Sequence, residues 1–189
     1  MKRRCYLMLA TAVLSGGCMN PGGTGGPAAP VWAEGVESNI IGVAKFFPNN
    51  PWLLFDSDGT GRVGGVKINV YLESIIIEDG KRKSKGVFGS GTIIVSMYRI
   101  AYDRLGNESV TLIHKWELDP EAAYPWRCLQ RTAMGWGYGL RLQWPGELDV
   151  AGREVSFAVK YVRGDGRVIA SRPHTFLVPM FGRTRVYNQ

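Results

Sequence analysis

The stretch that decides the fold is Glu154-Val155-Ser156-Phe157-Ala158-Val159-Lys160-Tyr161-Val162-Arg163, which Asp165-Gly166 separates from Val168-Ile169-Ala170-Ser171. From Val155 to Tyr161, large apolar side chains fall at every second position, which is the period of a β-strand with one buried face. Asp-Gly is a favoured pair for a tight turn between antiparallel strands. The stretch therefore predicts a β-hairpin.

Other runs with the same character lie on both sides of this hairpin. They are rich in β-branched and aromatic residues and are separated by Gly, Asp, Asn and Pro. The predicted strands lie within 40–47, 65–73, 91–102, 110–118, 138–144, 154–163 and 168–179. About seven such strands favour an all-β fold, an antiparallel β-sandwich resembling the immunoglobulin or fibronectin type. Pro173 predicts that the last strand is bulged or lies at a sheet edge.

One segment does not have the pattern of a strand. Asp119 followed by Pro120 is typical of a helix start, with Asp119 as the N-cap. Pro125 limits that helix to about one turn, although a second turn as far as Arg131 stays open. We expect residues 119–137 to form a long excursion that crosses from one sheet to the other.

Composition limits the class of protein. The chain has 189 residues, 45% of them hydrophobic and 21% charged, which suits one globular domain. Its net charge of +7 is scattered along the chain, which argues against nucleic acid as a partner. Of the three cysteines, Cys5 and Cys18 lie in the N-terminal segment and only Cys128 remains in the domain, which excludes a disulfide framework. Cys128 is expected to be a small buried hydrophobe, with a reactive or intermolecular thiol as the alternative.

The N-terminus has the features of an export signal. A basic N-terminal region, Lys2-Arg3-Arg4, is followed by a short apolar run. The small residues Ser15-Gly16-Gly17 then lead to Cys18, as in a cleavage region. This segment resembles the lipobox of bacterial lipoproteins, although Ser15 stands where the family prefers Leu. The resemblance implies cleavage before Cys18, a diacylglycerol on its thiol and, because Met19 follows rather than Asp, the outer membrane. Ordinary secretion is the alternative.

The resemblance divides the chain into four parts. Residues 1–17 would be the signal peptide. Residues 18–37, rich in Gly and Pro, would form a flexible tether. Residues 38–179 would be the β-sandwich domain, and 180–189 a C-terminal tail.

Two charged segments are candidate binding sites. Asp56 and Asp58, in Asp56-Ser57-Asp58-Gly59, resemble the first half of a calcium loop, but Lys67 stands where the final Glu ligand would be needed. An Asx-rich turn is the simpler interpretation. Lys81, Arg82, Lys83 and Lys85 are predicted to form a loop tip, which can contact an anionic surface or simply be solvated.

Aromatic residues suggest a third candidate site. Gly135-Trp136-Gly137-Tyr138-Gly139 alternates glycine with large rings. Trp136 and Tyr138 could form a platform for sugar rings, but the same pattern also starts a strand whose rings pack in the core, and core packing is favoured.

The sequence contains no legible catalytic constellation. His114 and His174 are isolated within strand patterns, and Ser90 lacks the strand–turn–helix setting of a nucleophile elbow. We therefore predict no enzyme activity and no cofactor. The predicted function is that of an envelope lipoprotein with an interaction or structural domain, whose partners would be membrane lipid through Cys18 and an anionic surface, a glycan or another envelope protein. A carbohydrate-binding module is the alternative, and a hydrolase is a weaker one.

Overall fold

The structure is a computed structural model that describes residues 34–55, 61–129 and 134–180. Within these residues the chain forms two antiparallel sheets, so the predicted all-β sandwich is confirmed. In chain order the strands are β1 (Ile40–Phe46), β2 (Trp52–Phe55), β3 (Arg62–Glu78), β4 (Lys81–Val87), β5 (Thr92–Tyr102), β6 (Glu108–Leu118), β7 (Arg127–Leu129), β8 (Trp136–Gln143), β9 (Glu154–Val162), β10 (Val168–Ala170) and β11 (His174–Leu177).

The first sheet is built around the 17-residue strand β3. Strands β1 and β2 pair with one edge of β3, and β8 and β4 pair with the other. Strand β7 lies outside β8, which gives the order β1-β3-β8-β7 along the main path. The second sheet has the order β10-β9-β5-β6.

The predicted hairpin of residues 154–171 is confirmed. Strand β9 pairs with β10 across a turn in which Gly166 has a φ of 83°. The run predicted after this turn is divided in two, because β10 and β11 lie on either side of Pro173 and both pair with the same edge of β9. Pro173 therefore lies at a sheet edge, as its missing N–H predicts.

Three strands were not predicted, namely β2, β4 and β7. Lys81, Arg82, Lys83 and Lys85 were predicted to form a loop tip, but they lie in strand β4. Asp79 and Gly80 alone make the turn, with φ values of 54° and 71°, and Glu78 pairs directly with Lys81. Two consecutive residues with positive φ form the tight turn that best matches the twist of a hairpin.

The core lies between the sheets and follows the period-two pattern. Alternate side chains of the four central strands are buried against one another, and each large apolar one contributes roughly 1.5–3 kcal/mol. The buried set on these strands comprises Val66, Ile68, Val70 and Leu72 of β3, Ile93, Val95 and Met97 of β5, Tyr138, Leu140 and Leu142 of β8, and Val155, Phe157, Val159 and Tyr161 of β9.

The chain crosses between the sheets after β6, with a helix start where it was predicted, but the crossing ends at residue 126 and not at 137, because β7 and β8 already belong to the first sheet. The Asp119 carboxylate accepts a hydrogen bond from the Ala122 N–H at 2.8 Å and caps α1 (Pro120–Ala123). A 3₁₀ turn, Tyr124–Trp126, follows, and the chain joins the first sheet as β7. The second helical turn left open from Arg127 onward is replaced by this strand.

Candidate functional site

One end of the sandwich gathers the beginning of the described chain, the turn between β4 and β5, and the α1 excursion. Glu34 forms a parallel bridge with Phe88, and the Gly35 N–H donates to the Phe88 carbonyl at 2.7 Å. The chain therefore enters the domain beside the residue that follows β4.

Glu37 holds this entry segment against the next turn. Its carboxylate accepts hydrogen bonds from the Ser90 N–H and hydroxyl and from the Tyr161 hydroxyl. The same Tyr161 hydroxyl accepts from the Gly91 N–H at 2.8 Å. Burial, followed by the hydrogen bond to Glu37, raises the pKa of Tyr161 well above that of an ordinary tyrosine. We call Glu37, Ser90, Gly91 and Tyr161 the entry latch.

A concave pocket of about 520 Å³ lies at the same end. It is the candidate site because it combines aromatic rings with a charged pair. Its lining residues are Glu34, Phe88, Tyr124, Pro125, Arg127 and Trp136.

Arg127 is fixed inside this pocket. One terminal nitrogen lies 2.6 Å from a carboxylate oxygen of Glu34, and the guanidinium carbon lies 4.6 Å from the ring centre of Phe88 and 5.0 Å from that of Tyr124. Its Nε is buried and has no hydrogen-bond partner within the described ranges. Ion pairing and cation–π contacts orient a guanidinium strongly, so the pocket presents a fixed donor–acceptor pair.

Trp136 and Tyr138, the two predicted platform residues, have different environments. Trp136 is half-buried, lines the pocket and packs edge-to-face on Phe88 with ring centres 5.7 Å apart. Tyr138 is only 1% exposed, and its hydroxyl accepts from the Gly89 N–H at 3.1 Å. Burial raises the pKa of this hydroxyl. Core packing is thus confirmed for Tyr138, which cannot present its ring to a sugar, whereas Trp136 faces the pocket.

Gly137 of the aromatic motif and Gly86 of β4 lie against Tyr71, on the opposite face of the sheet. A Cβ on Gly137 would lie 2.8 Å from the ring of Tyr71, and one on Gly86 would lie 3.1 Å from the same ring. Tyr71 is 1% exposed and also packs edge-to-face on Phe46. The glycines therefore make room for Tyr71.

The basic segment lies on a paired and exposed strand. Residues 81–84 of β4 are exposed and Lys85 is half-buried. Glu78 lies 2.7 Å from the Lys83 ammonium and 3.2 Å from that of Lys85, and these hydrogen bonds lower the pKa of the Glu78 carboxyl. Lys81, Lys83 and Lys85 therefore share one face of the strand with Glu78, an acidic partner that the sequence prediction did not include, and Arg82 lies on the opposite face.

The remaining predicted residues lie apart from the pocket or outside the described chain. His114 packs on Trp116, and His174 packs on Phe47 and Phe176. Cys128 is buried in β7, as expected of a small hydrophobe. Cys18 and the pair Asp56 and Asp58 lie outside the described residues, so lipidation and the calcium loop stay predictions.

The described residues contain neither a metal-binding cluster nor a helix that could cross a membrane. No cluster of three or more His, Cys, Asp or Glu side chains there is arranged to hold a metal ion. In the same ranges, no helix has the length and apolar character needed to cross a bilayer.

Sequence reasoning missed Glu34, Tyr124 and Arg127 as site residues. Arg127 and Glu34 are 93 residues apart in the chain, so no local spacing connects them. The one available signal was Tyr124-Pro125-Trp126-Arg127, a cluster of rings and a cation inside a segment that was predicted to leave the sheets.

Comparison with known proteins gave no assignment. No family model matches the chain, and no curated protein or solved structure is significantly similar to it.

Proposed function

We propose that this chain is a bacterial envelope lipoprotein whose β-sandwich is a non-catalytic interaction domain. A diacylglycerol on Cys18 anchors it, and Met19 favours the outer membrane. Support comes from the basic N-terminal region, the short apolar run and the Gly-Gly pair before Cys18, which together are typical of a lipoprotein signal peptide. Its partners are membrane lipid and a further component of the envelope.

The observation that carries the proposal is the way in which the chain enters the domain. Glu34 and Glu37 bind the turn that follows β4, at the end of the sandwich that also holds the pocket. Fifteen residues lie between Cys18 and Glu34. A flexible segment of that length spans about 20 Å. An anchor at Cys18 would therefore keep this end of the domain near the membrane surface.

We further propose that the sandwich is of the immunoglobulin/fibronectin type. The support is the strand order. Assigning β1, β3, β8 and β7 as strands A, B, E and D gives A-B-E-D for the first sheet. Assigning β10, β9, β5 and β6 as G, F, C and C′ gives G-F-C-C′ for the second. These are the sheet orders of that fold, without its cysteine pair.

Lipid anchoring is tested by changing Cys18 to Ser. We expect the wild-type chain to be recovered with the membranes of a bacterium that lipidates proteins, and its intact mass to include a diacylglycerol. Cys18→Ser should lose that added mass and leave the membrane fraction. The matched control is Cys5→Ser, which removes a thiol from the signal segment and should change neither result. Equal partitioning of Cys18→Ser and wild type would refute the anchor.

Carbohydrate binding is the second candidate function, and the pocket favours it. The exposed ring of Tyr124 and the half-buried Trp136 can pack on sugar faces, while Glu34 and Arg127 can accept from and donate to sugar hydroxyls. This arrangement suits a neutral sugar, because the two charges compensate each other.

Calorimetry with soluble envelope oligosaccharides tests this candidate. Trp136→Ala and Tyr124→Ala should each weaken binding about tenfold or more, which is roughly the loss of one good aromatic contact. Tyr102→Ala is the control, because Tyr102 is 57% exposed at the other end of the sandwich. Binding that is unchanged in both pocket variants, or absent in the wild type, would exclude a sugar site here.

A further inference from the structure

The hairpin of β3 and β4 extends past the rest of the first sheet. Strand β1 begins at Ile40, which pairs with Ser74, and β3 continues for four more residues to Glu78. Past Ser74, its only strand partner among the described residues is β4. At about 3.4 Å per residue, this two-stranded ribbon reaches roughly 13 Å beyond the start of β1. We call residues 75–85 the basic hairpin.

The two faces of the basic hairpin differ in chemistry. Ile75 and Ile77 share one face with their cross-strand partners Ser84 and Arg82. Ile77 is 78% exposed. With Ile41, which is 57% exposed, these isoleucines line an open groove of about 640 Å³ that Arg82 also borders.

The other face of the hairpin is cationic. It carries Lys81, Lys83 and Lys85 together with Glu78, and the partly buried Ile76 lies opposite Lys83. The whole segment has four basic and two acidic side chains, which gives a net charge of +2.

The basic hairpin lies at the end of the sandwich where the chain enters. Val87, at the end of β4, pairs with Leu72, and the next residue, Phe88, bridges Glu34. The 3₁₀ turn at Glu37–Asn39 contributes Ser38 and Asn39 to the isoleucine groove. An anchor that holds Glu34 near a membrane therefore holds the hairpin near it too.

We propose that the basic hairpin docks on the anionic lipid surface of a bilayer and sets the domain end-on to it. Lys81 and Arg82 lie near its tip and meet the headgroups, and Ile77, the cross-strand partner of Arg82, contacts the interface beside them. The orientation rests on the proposed anchor at Cys18, whereas the affinity of the hairpin for lipid does not.

The combination of exposed isoleucines and cations favours lipid over a soluble polyanion. Headgroups attract the charges, and the boundary with the acyl chains accepts the apolar side chains. An anionic glycan would use the charges alone and would leave Ile77 exposed to water. The ion pairs with Glu78 do not prevent docking, because exposed pairs are weak and exchange readily with other anions.

Vesicle binding by the full chain carrying Cys18→Ser tests the hairpin independently of the acyl group. The vesicles are phosphatidylcholine with or without 30% phosphatidylglycerol, and binding is measured by flotation at low and high salt. Every variant retains residues 1–33, so any contribution from that segment is common to all of them. Lys81→Ser/Arg82→Ser should weaken binding to the anionic vesicles at least tenfold, since each charge near such a surface contributes about a fivefold factor.

Each variant has a control at a comparable exposed position. Arg104→Ser/Lys160→Ser removes the same charge elsewhere and should change binding less than twofold. Ile77→Ser should weaken the binding that remains at high salt, whereas Leu105→Ser, a residue 87% exposed at the opposite end, should not. Melting curves like that of the wild type would show that each variant folds.

Two outcomes would overturn the proposal. If the hairpin variants bind anionic vesicles as the wild type does, the hairpin is not the docking element. If soluble heparin is bound as tightly as the vesicles and Ile77→Ser has no effect, the surface recognises polyanions and not lipid. Neither outcome bears on the Cys18 anchor, whose own test is fractionation of the lipidated chain.

Discussion

At the scale of single residues, the Tyr161 hydroxyl links three parts of the chain near its entry. It accepts from the Gly91 N–H and donates to Glu37, so one oxygen joins β9, the turn after β4 and the entry segment. Glycine is required at 91 because a Cβ there would overlap the Val162 carbonyl oxygen. The entry latch therefore depends on a tyrosine that keeps its proton.

The raised pKa of Tyr161 predicts a loss of stability in base. Below about pH 10, both the folded and the unfolded chain hold the proton, so the contribution to stability is complete. Above about pH 10, the unfolded chain releases it and the folded chain does not, which favours unfolding. The melting temperature should therefore fall above that pH, and less steeply in Tyr161→Phe.

Tyr124→Phe is the comparison for this measurement, because that exposed ring lies outside the entry latch. It should follow the wild-type curve. Parallel curves for Tyr161→Phe and wild type would show that another group governs the alkaline transition.

At the scale of elements, the close approach of β8 to Tyr71 on β3 can be tested with Gly137→Ala. The added Cβ would lie 2.7 Å from the Val70 carbonyl oxygen as well as against the Tyr71 ring, and backbone cannot move aside cheaply. Overpacking of this kind costs about 1–3 kcal/mol of the free energy of unfolding. Denaturant titration measures it.

Gly146→Ala is the matched control, since its nearest neighbour is an Arg62 nitrogen at 3.6 Å. It should leave the unfolding free energy nearly unchanged. Equal effects of the two substitutions would mean that Tyr71 can move without cost.

Strand β9 was predictable from its alternating apolar residues, and β4 was not, because its first four residues are polar or charged and exposed. The residues from Val155 to Tyr161 predict β9 because every second one of them lies in the core. Lys81 to Ser84 give no such pattern because all four are exposed, and they are strand residues through pairing with β3 alone. Sequence periodicity reports burial and not hydrogen bonding, so β4 was mistaken for a loop.

At the scale of the whole molecule, the two-sheet architecture follows from the pattern, but the contacts between the sheets do not. The Trp116 indole N–H donates to the Gln143 carbonyl at 2.7 Å and links β6 to β8. The Lys45 ammonium lies 3.2 Å from the Ser171 hydroxyl and links β1 to the segment after β10. Such contacts, like the pair of Glu34 and Arg127, join residues far apart in the chain and become visible only once strand order is known.

The described chain enters the sandwich at one end and leaves at the other. Glu34 forms a β-bridge with Phe88 near the start of β5. Leu177 pairs with Glu154 near the end of β5, and the Val178 N–H donates a hydrogen bond to the Arg153 carbonyl. Tension between these two points would run parallel to the strands. The ladders β1–β3 and β9–β11 would then be loaded in shear, with their hydrogen bonds resisting together and not parting one after another. A domain that is held at its entry and pulled from its far end should therefore resist mechanical unfolding better than one whose strands are peeled apart one hydrogen bond at a time.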